Sequence, residues 1–456
     1  MTTAASATAN ATFDVADFID RQPVGWFQIR VLLLCAAVLF IDGFDTQAIG
    51  YVAPAIAQDW KLPRAALGPV FSAGLFGLML GALIFGPVAD RLGRKKIMIF
   101  SVIAFGACTF ATAFAQDVWW LLVLRFLTGL GLGGAMPNAV ALTSEFSPHR
   151  RRATMVMVMF CGFSVGAALG GLLAAWMIPA FGWRSVFLLG GAAPILFAPI
   201  LMAKLPESIR FLTLSGGNEA DVTGLLKRIA PHQATPAGMR PALHEPRLDG
   251  VPVLHLFGEG RASTTLLLWV VFFMSLLDLY LLANWLPTVL HDLGASISMA
   301  AAVGAMLQVG GVVGTLVLGY YVDRFSFSAL AAVYLLATVA VAAVGFSGHA
   351  ILLATIAIFC AGFCIVGGQI AANALAATYY PTAMRSTGVG WALGIGRVGS
   401  IVGPLVGGLM LARHISTETL FLAAAIPALI ACGAAFVLSR TGINNVAPKF
   451  SRYPRV

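Results

Sequence analysis

Segments of about 20 residues poor in charge recur twelve times along the chain, at residues 29–57, 66–88, 97–115, 118–140, 153–178 and 184–205, and then at 264–290, 297–320, 327–347, 350–376, 386–411 and 417–438. A helix of that length matches the hydrocarbon thickness of a bilayer, and a lipid core admits only helices and closed barrels because every backbone polar group must be satisfied internally. Two groups of six such segments predict an all-α integral membrane protein with twelve transmembrane helices. Composition agrees: 59% of the 456 residues are hydrophobic and 10% are charged, with mean hydropathy +0.90. A soluble domain carries about 25% charge.

The expected organisation is an N-terminal segment (1–28), a six-helix bundle (29–205), a linker (206–263), a second six-helix bundle (264–438) and a tail (439–456). The linker, with Gly216-Gly217 and several prolines, reads as exposed chain carrying one short surface helix. The N-terminal segment carries Asp14, Asp17 and Asp20 and no basic run, so a cleavable signal peptide is not expected. Arg91, Arg94, Lys95 and Lys96 follow the second span, Arg150 to Arg152 follow the fourth, and the linker and tail are basic too. The opposite loops hold only Lys61, Arg64, Arg184 and Arg413. Positive-inside bias then places both termini, the linker and the tail in the cytoplasm. It also accounts for the net charge of +9, and no basic stripe interleaved with aromatics argues for nucleic acid.

The costliest residues are Asp42 and Asp45, inside the first apolar span. A lipid-exposed carboxylate at mid-bilayer costs about 2.5 to 3.5 kcal/mol on insertion scales. Spacing i, i+3 puts both on one helix face, which must line a cavity or meet a partner. Arg125, in the fourth span, either snorkels to the membrane surface or pairs with one of these carboxylates. In the paired arrangement the arginine holds the carboxylate charged, and its withdrawal lets the acid take a proton, as a proton-driven carrier needs. Cys35, Cys108, Cys161, Cys360, Cys364 and Cys432 all lie in apolar spans without histidine or carboxylate at ligand spacing, so neither metal nor cofactor is expected.

A displacement of 233 residues carries Asp45 to Asp278, Pro54 to Pro287, Gly77 to Gly310, Gly81 to Gly314, Gly86 to Gly319, Asp90 to Asp323, Arg91 to Arg324, Arg152 to Arg385 and Gly166 to Gly399. Six helices return the chain to its starting side, so the repeats are parallel, the arrangement of a major facilitator. The run Gly86-Pro87-Val88-Ala89-Asp90-Arg91-Leu92-Gly93-Arg94-Lys95-Lys96 resembles the G-x-x-x-D-R-x-G-R-[KR] signature of that superfamily. Its second copy keeps Asp323-Arg324 and lacks the following Gly-Arg-Arg. We expect a gating role for Gly86, Asp90, Arg91, Arg94, Asp323, Arg324 and Arg385, with Gly86 allowing close helix approach and Asp90 pairing with basic groups to hold one conformer.

Arg397, in the eleventh span, has Ser164 as its repeat mate, so the scaffold does not demand this charge. It serves either an anionic substrate or Asp278. Asp278, facing Asp45 across the repeat, with Asn284, Trp285, Gln308, Gln369 and Asn373 and with Phe40, Phe44, Tyr51, Tyr280 and Trp391, would complete an apolar substrate pocket with a few oriented polar groups, suited to a planar aromatic acid.

The run Asp42-Gly43-Phe44-Asp45-Thr46, continuing to Ala55, resembles the first-helix signature of the aromatic acid:proton symporters. Arg125 to Gly131, Met136-Pro137-Asn138, Leu205-Pro206-Glu207-Ser208, Trp285-Leu286-Pro287 and Gly394-Ile395-Gly396-Arg397 are similar to that branch as well. The resemblance implies uptake of a small aromatic carboxylate with protons by a carrier in a bacterial inner membrane, and a monomer is expected. It implies use of Asp42, Asp45, Arg125 and Glu145 in proton coupling, Asp323 in gating and Arg397 in binding. Asp278 departs from the hydroxybenzoate permeases, leaving another ring-substitution preference such as 3-hydroxybenzoate or gentisate open. A carrier of another small organic anion, or a sugar facilitator suggested by Pro206 to Arg210, is the alternative. An enzyme would need a nucleophile–base or metal constellation, and the histidines are scattered over loops and helix ends.

Overall fold

The computed structural model describes residues 12–214, 219–231, 240–242, 253–258, 260–347, 350–380, 384–413 and 415–440, with backbone only for Thr12, Arg64, Ala153, Glu219, Arg240, Pro241, Ala242, Tyr320, Asp323, Arg385 and Ser386. Among the described residues, 12 helices are long and apolar enough to cross a membrane. In the first repeat they are α1 (Trp26–Asp59), α2 (Leu67–Leu92), α3 (Arg94–Thr112), α4 (Val118–Phe146), α5 (His149–Phe181) and α6 (Arg184–Lys204). In the second they are α7 (Ala262–Asp292), α8 (Ile297–Gly319), α9 (Arg324–Phe346), α10 (Ile351–Tyr379), α11 (Thr387–Ala412) and α12 (Thr417–Arg440).

Small residues let the backbones approach, and they do so identically in the two repeats. Gly77 of α2 lies against the Phe126 carbonyl of α4, and Gly310 of α8 lies against the Phe359 carbonyl of α10, both partners being displaced by 233. Gly81 on Leu130 and Gly314 on Phe363 repeat the pattern one turn on. Gly166 on Phe40 and Gly399 on Phe273 repeat it between α5 and α1 and between α11 and α7. A side chain at any of these positions would collide with backbone, which is how helices associate where water supplies no driving force. Gly86 and Gly319, by contrast, face open space among the described residues. The expected close approach at Gly86 is therefore corrected: contact falls at Gly81 and Gly77, about one and a half and two and a half turns earlier on α2.

The chain divides into two compact units, one of Met1–Thr46, Phe76–Ala167 and Arg184–Pro246, the other of Gln47–Leu75, Ala168–Trp183 and Arg247–Val456. The far ends of α1, α2 and α5 thus group with the second repeat. Within that second unit, Gly50 of α1 abuts the backbone of Ala283 and Asn284, and Gly171 of α5 abuts Tyr51 and Ala305. Ser72 of α2 donates to the Ile401 carbonyl at 2.9 Å, and Ser298 of α8 donates to the Ala175 carbonyl.

The first unit also holds what the sequence suggested was exposed linker. The short helices Ile209–Leu214 and Glu219–Ile229 follow α6, and strand β1 (Thr12–Asp14) pairs in parallel with β2 (Arg240–Ala242). Val222, Leu225, Leu226 and Ile229 are buried in one cluster with Ile209, with Val15 and Ile19 of the N-terminal helix Val15–Asp20, and with α1. Apolar spacing i, i+3, i+4, i+7 explains this docking. Two helices form where one was expected, and they add a cap to the bundle.

Candidate functional site

Asp45 and Arg125 meet, so the paired alternative holds and Arg125 does not snorkel. Arg125 Nη2 lies 3.2 Å from Asp45 Oδ2, with 3% and 0% of their side chains exposed. The same nitrogen donates to the Asp45 carbonyl at 3.2 Å, and Nη1 reaches Oδ1 at 3.4 Å. Thr109 of α3, which sequence reasoning missed, donates to Oδ1 at 2.7 Å. The guanidinium carbon sits 5.8 Å from the centre of the Phe187 ring of α6. Two features of α1 and its neighbours bring these groups together: Gly43 lies on the Phe163 backbone of α5, and Phe44 packs on Gly190 of α6. Removing one partner of a buried pair costs about 3 to 5 kcal/mol, because the other charge is stranded.

Asp42 is also fully buried and accepts from Thr46 Oγ1 at 2.9 Å, one turn along its own helix. Glu145 stands apart from both aspartates. Its carboxylate takes Arg94 on one oxygen and the Ser208 hydroxyl, at 2.6 Å, on the other. Arg94 holds the exposed Asp90 at 3.1 Å as well. Glu145 therefore moves from the expected proton group to the Asp90–Arg94 cluster, because it lies at the same end of α4 as the loop between α2 and α3. Glu207 completes this cluster. Its Oε1 accepts from the backbone nitrogens of Lys95 at 3.0 Å and Ser208 at 2.8 Å, capping the start of α3 with a carboxylate where the helix dipole favours one. Gly93 turns the chain there at φ 101°, and a Cβ on it would strike the Glu207 carboxylate. Arg91 is exposed. In the second copy, Arg324 lies 5.4 Å from the centre of the Phe325 ring, while the side chains of Asp323 and Arg385 fall outside the described residues. Ser326 occupies the repeat position of Gly93 and is bent to φ 49°.

In the second unit the expected substrate residues separate into groups. Arg397 Nη1 donates to the Tyr280 hydroxyl at 3.3 Å, and Gln369 donates to Asn373 at 3.3 Å. Trp285 is not a pocket wall: it is 1% exposed, donates to the Pro404 carbonyl at 2.9 Å and meets the Phe71 ring edge-on at 5.1 Å. Its bulk fills the space left by Gly68, Gly407 and Gly408. Asn284 returns its amide to the Tyr280 carbonyl at 2.7 Å, and Gln308 is buried. Trp391 is exposed and stacks on Trp269 at 5.9 Å. Asp278 does not reach Arg397. Two residues from Tyr280 on a helix, it points roughly 200° away, and it is buried beside Ser275 and Tyr334 of α9.

The Major Facilitator Superfamily model matches residues 35–276 and 268–452. The 4-hydroxybenzoate transporter PcaK of Pseudomonas aeruginosa is 45% identical over 94% of this chain and 96% of its own length. The gallate transporter of Pseudomonas putida is 43% identical over 92% and 94%. The xylose transporter XylE of Escherichia coli, in a partially occluded inward-open conformation, superposes with a TM-score of 0.72 at 15% identity, covering 94% of this chain and all of that one. The last likeness concerns the fold, which is the twelve-helix, two-repeat architecture described above. The chain belongs to the Major Facilitator Superfamily of membrane transporters.

Proposed function

We propose that this transporter takes up an aromatic carboxylate of the hydroxybenzoate type together with protons, by alternating access across a bacterial inner membrane, with both termini in the cytoplasm. The observation that carries the reading is the Asp45–Arg125–Thr109 constellation. A carboxylate shut away from water and neutralised by a single arginine on another helix has two ways to stay neutral: keep the arginine or bind a proton. A conformational change that loosens the pair exchanges one for the other, which couples proton binding to the transition. Asp42, one turn earlier on α1, is the second candidate proton carrier.

The names of the relatives supply the substrate class, and Arg397 beside Tyr280 is chemistry that suits it. A guanidinium grips a carboxylate in two parallel hydrogen bonds, and a phenol offers both an aromatic edge and a hydroxyl partner for a ring substituent. The Glu145–Arg94–Asp90 cluster, capped by Glu207, serves as the latch that holds one conformer.

Uptake of a panel of labelled carboxylates into proteoliposomes, with and without an imposed pH gradient, tests the proposal. The panel includes 4-hydroxybenzoate, 3-hydroxybenzoate, gentisate, a non-aromatic carboxylate and xylose. Gradient-driven accumulation of a hydroxybenzoate is expected. Uptake indifferent to the gradient, or favouring the non-aromatic acid or the sugar, would sink it.

A further inference from the structure

Asp278 is the third aspartate buried in the membrane-spanning region, after Asp42 and Asp45, and its surroundings differ from those of its repeat mate Asp45. Asp45 is held by Thr109 and Arg125; displaced by 233, these positions are Ala342 and Ile358. The second bundle therefore keeps the acid and drops both donors. The matching glycine contacts at Gly77 and Gly310 seat α4 on α2 and α10 on α8 in the same register, and Ile358, itself fully buried, holds the repeat position of the arginine.

Among the described residues, no helix of the second repeat supplies a counter-charge. Among their described residues, α8 and α10 contain no Asp, Glu, Lys, Arg or His, and α12 carries only Glu418 and Arg440, at its ends. The only basic residue of α9 is Arg324, exposed at its start, and that of α11 is Arg397, which is turned to Tyr280. The one other basic residue of α7 is His291, near its far end, where its ring bonds the Ala295 carbonyl. Asp278 is 1% exposed, and neither of its oxygens has a hydrogen-bond partner among the described residues. Two hydroxyls share its pocket, those of Ser275 (1% exposed) and Tyr334 (fully buried), and they lie against one another. Among the described residues, Tyr334 is the titratable group on a neighbouring helix that faces the acid. Two neutral hydroxyls do not compensate a full negative charge out of water, whereas a proton removes it.

We propose that Asp278, with Ser275 and Tyr334, is a second proton-binding site, in which a proton takes the place that Arg125 holds in the first bundle. The proton comes from water, forms an O–H bond on a carboxylate oxygen, and gives the acid a donor for the Tyr334 or Ser275 oxygen. The site's role in transport rests on the proton-coupled reading above: when α7 and α9 shift, the proton returns to water, adding one to the number moved per substrate.

Infrared difference spectroscopy on the purified full-length protein reads the site without transport. A carboxylic acid carbonyl band that moves on exchange into heavy water should be present in the wild type and in Asp45→Asn, and absent in Asp278→Asn. Because asparagine closely matches the protonated acid, Asp278→Asn should unfold within about 2 °C of the wild type. In proteoliposomes the proton-to-substrate ratio should fall by one in Asp278→Asn, and Tyr334→Phe should keep the band but shift it. Absence of the band from the wild type, its persistence in Asp278→Asn, or an unchanged ratio in that variant overturns the proposal, as does sodium dependence of uptake that Asp278→Asn abolishes. If the wild type showed the band yet accumulated nothing under a pH gradient, the coupled reading would fail while the proton site stood.

Discussion

The two buried aspartates of the repeat were given different solutions to the same electrostatic problem. In the first bundle Asp45 has Arg125 at 3.2 Å and Thr109 at 2.7 Å; in the second, Asp278 has an isoleucine and an alanine at the corresponding places. An arginine fixes the charge on the acid until the helices carrying the two groups separate, so the first site is sensitive to conformation. A site without a cation is governed by its proton, so the second is sensitive to water access. The repeat shares one scaffold, and the difference at two positions gives the two acids different surroundings. The same contrast runs through the loops: Gly93 accepts its left-handed turn without cost, whereas its mate Ser326 is bent to φ 49°, where a side chain is strained.

Breaking the first pocket should have the largest effect. Arg125→Met strands Asp45, costs about 3 to 5 kcal/mol and abolishes accumulation. Adding Asp45→Asn should restore the unfolding temperature but not accumulation, which fluorescence-detected size exclusion after heating and an uptake assay would show. A double variant that stayed as unstable as the single one would mean that Arg125 acts through other contacts.

Moving the arginine sharpens the comparison. Ile358→Arg gives the second pocket the counter-charge it lacks, so it should be better tolerated with Asp278 present than with Asp278→Asn. We expect a coupling of about 2 kcal/mol in a double-mutant cycle on thermal stability; additivity would show that the two positions do not meet. Thr109→Val should cost about 1.5 kcal/mol, the scale of a hydrogen bond to a charged group, and weaken gradient-driven uptake without altering expression. Ser326→Gly, the smallest change, should stabilise by about 1 kcal/mol by relieving the turn. Gly93→Ala should destabilise, since its Cβ meets the Glu207 carboxylate.

Much of this was legible in the sequence wherever the physics is one-dimensional. Spans follow from hydropathy, the repeat from a constant displacement, and Arg125 as a partner for Asp42 or Asp45 from the rule that charges inside a membrane seek one another, whereas the choice of Asp45 took the structure. What escaped depends on which face meets which neighbour. Thr109 is one of many threonines until α3 packs beside α1, and nothing marked Glu145 as Arg94's partner rather than Asp45's. The orientation of Asp278 away from Arg397 follows from helical phase, although both are buried-charge candidates in the same repeat. Gly86 carries a family signature and faces open space, while Gly77 and Gly81, marked in the sequence only as repeat positions, make the close contacts. The helix Glu219–Ile229 could have been found from the spacing of Val222, Leu225, Leu226 and Ile229, an apolar stripe amid polar residues.

The most direct test of proton coupling through the first pocket is to compare two modes of transport by Asp45→Asn in proteoliposomes, using labelled 4-hydroxybenzoate. Counterflow exchange asks only that the loaded carrier reorient; accumulation under an imposed pH gradient asks that Asp45 bind and release a proton. Retained exchange with lost accumulation is the predicted result. Full gradient-driven accumulation by Asp45→Asn would contradict the account.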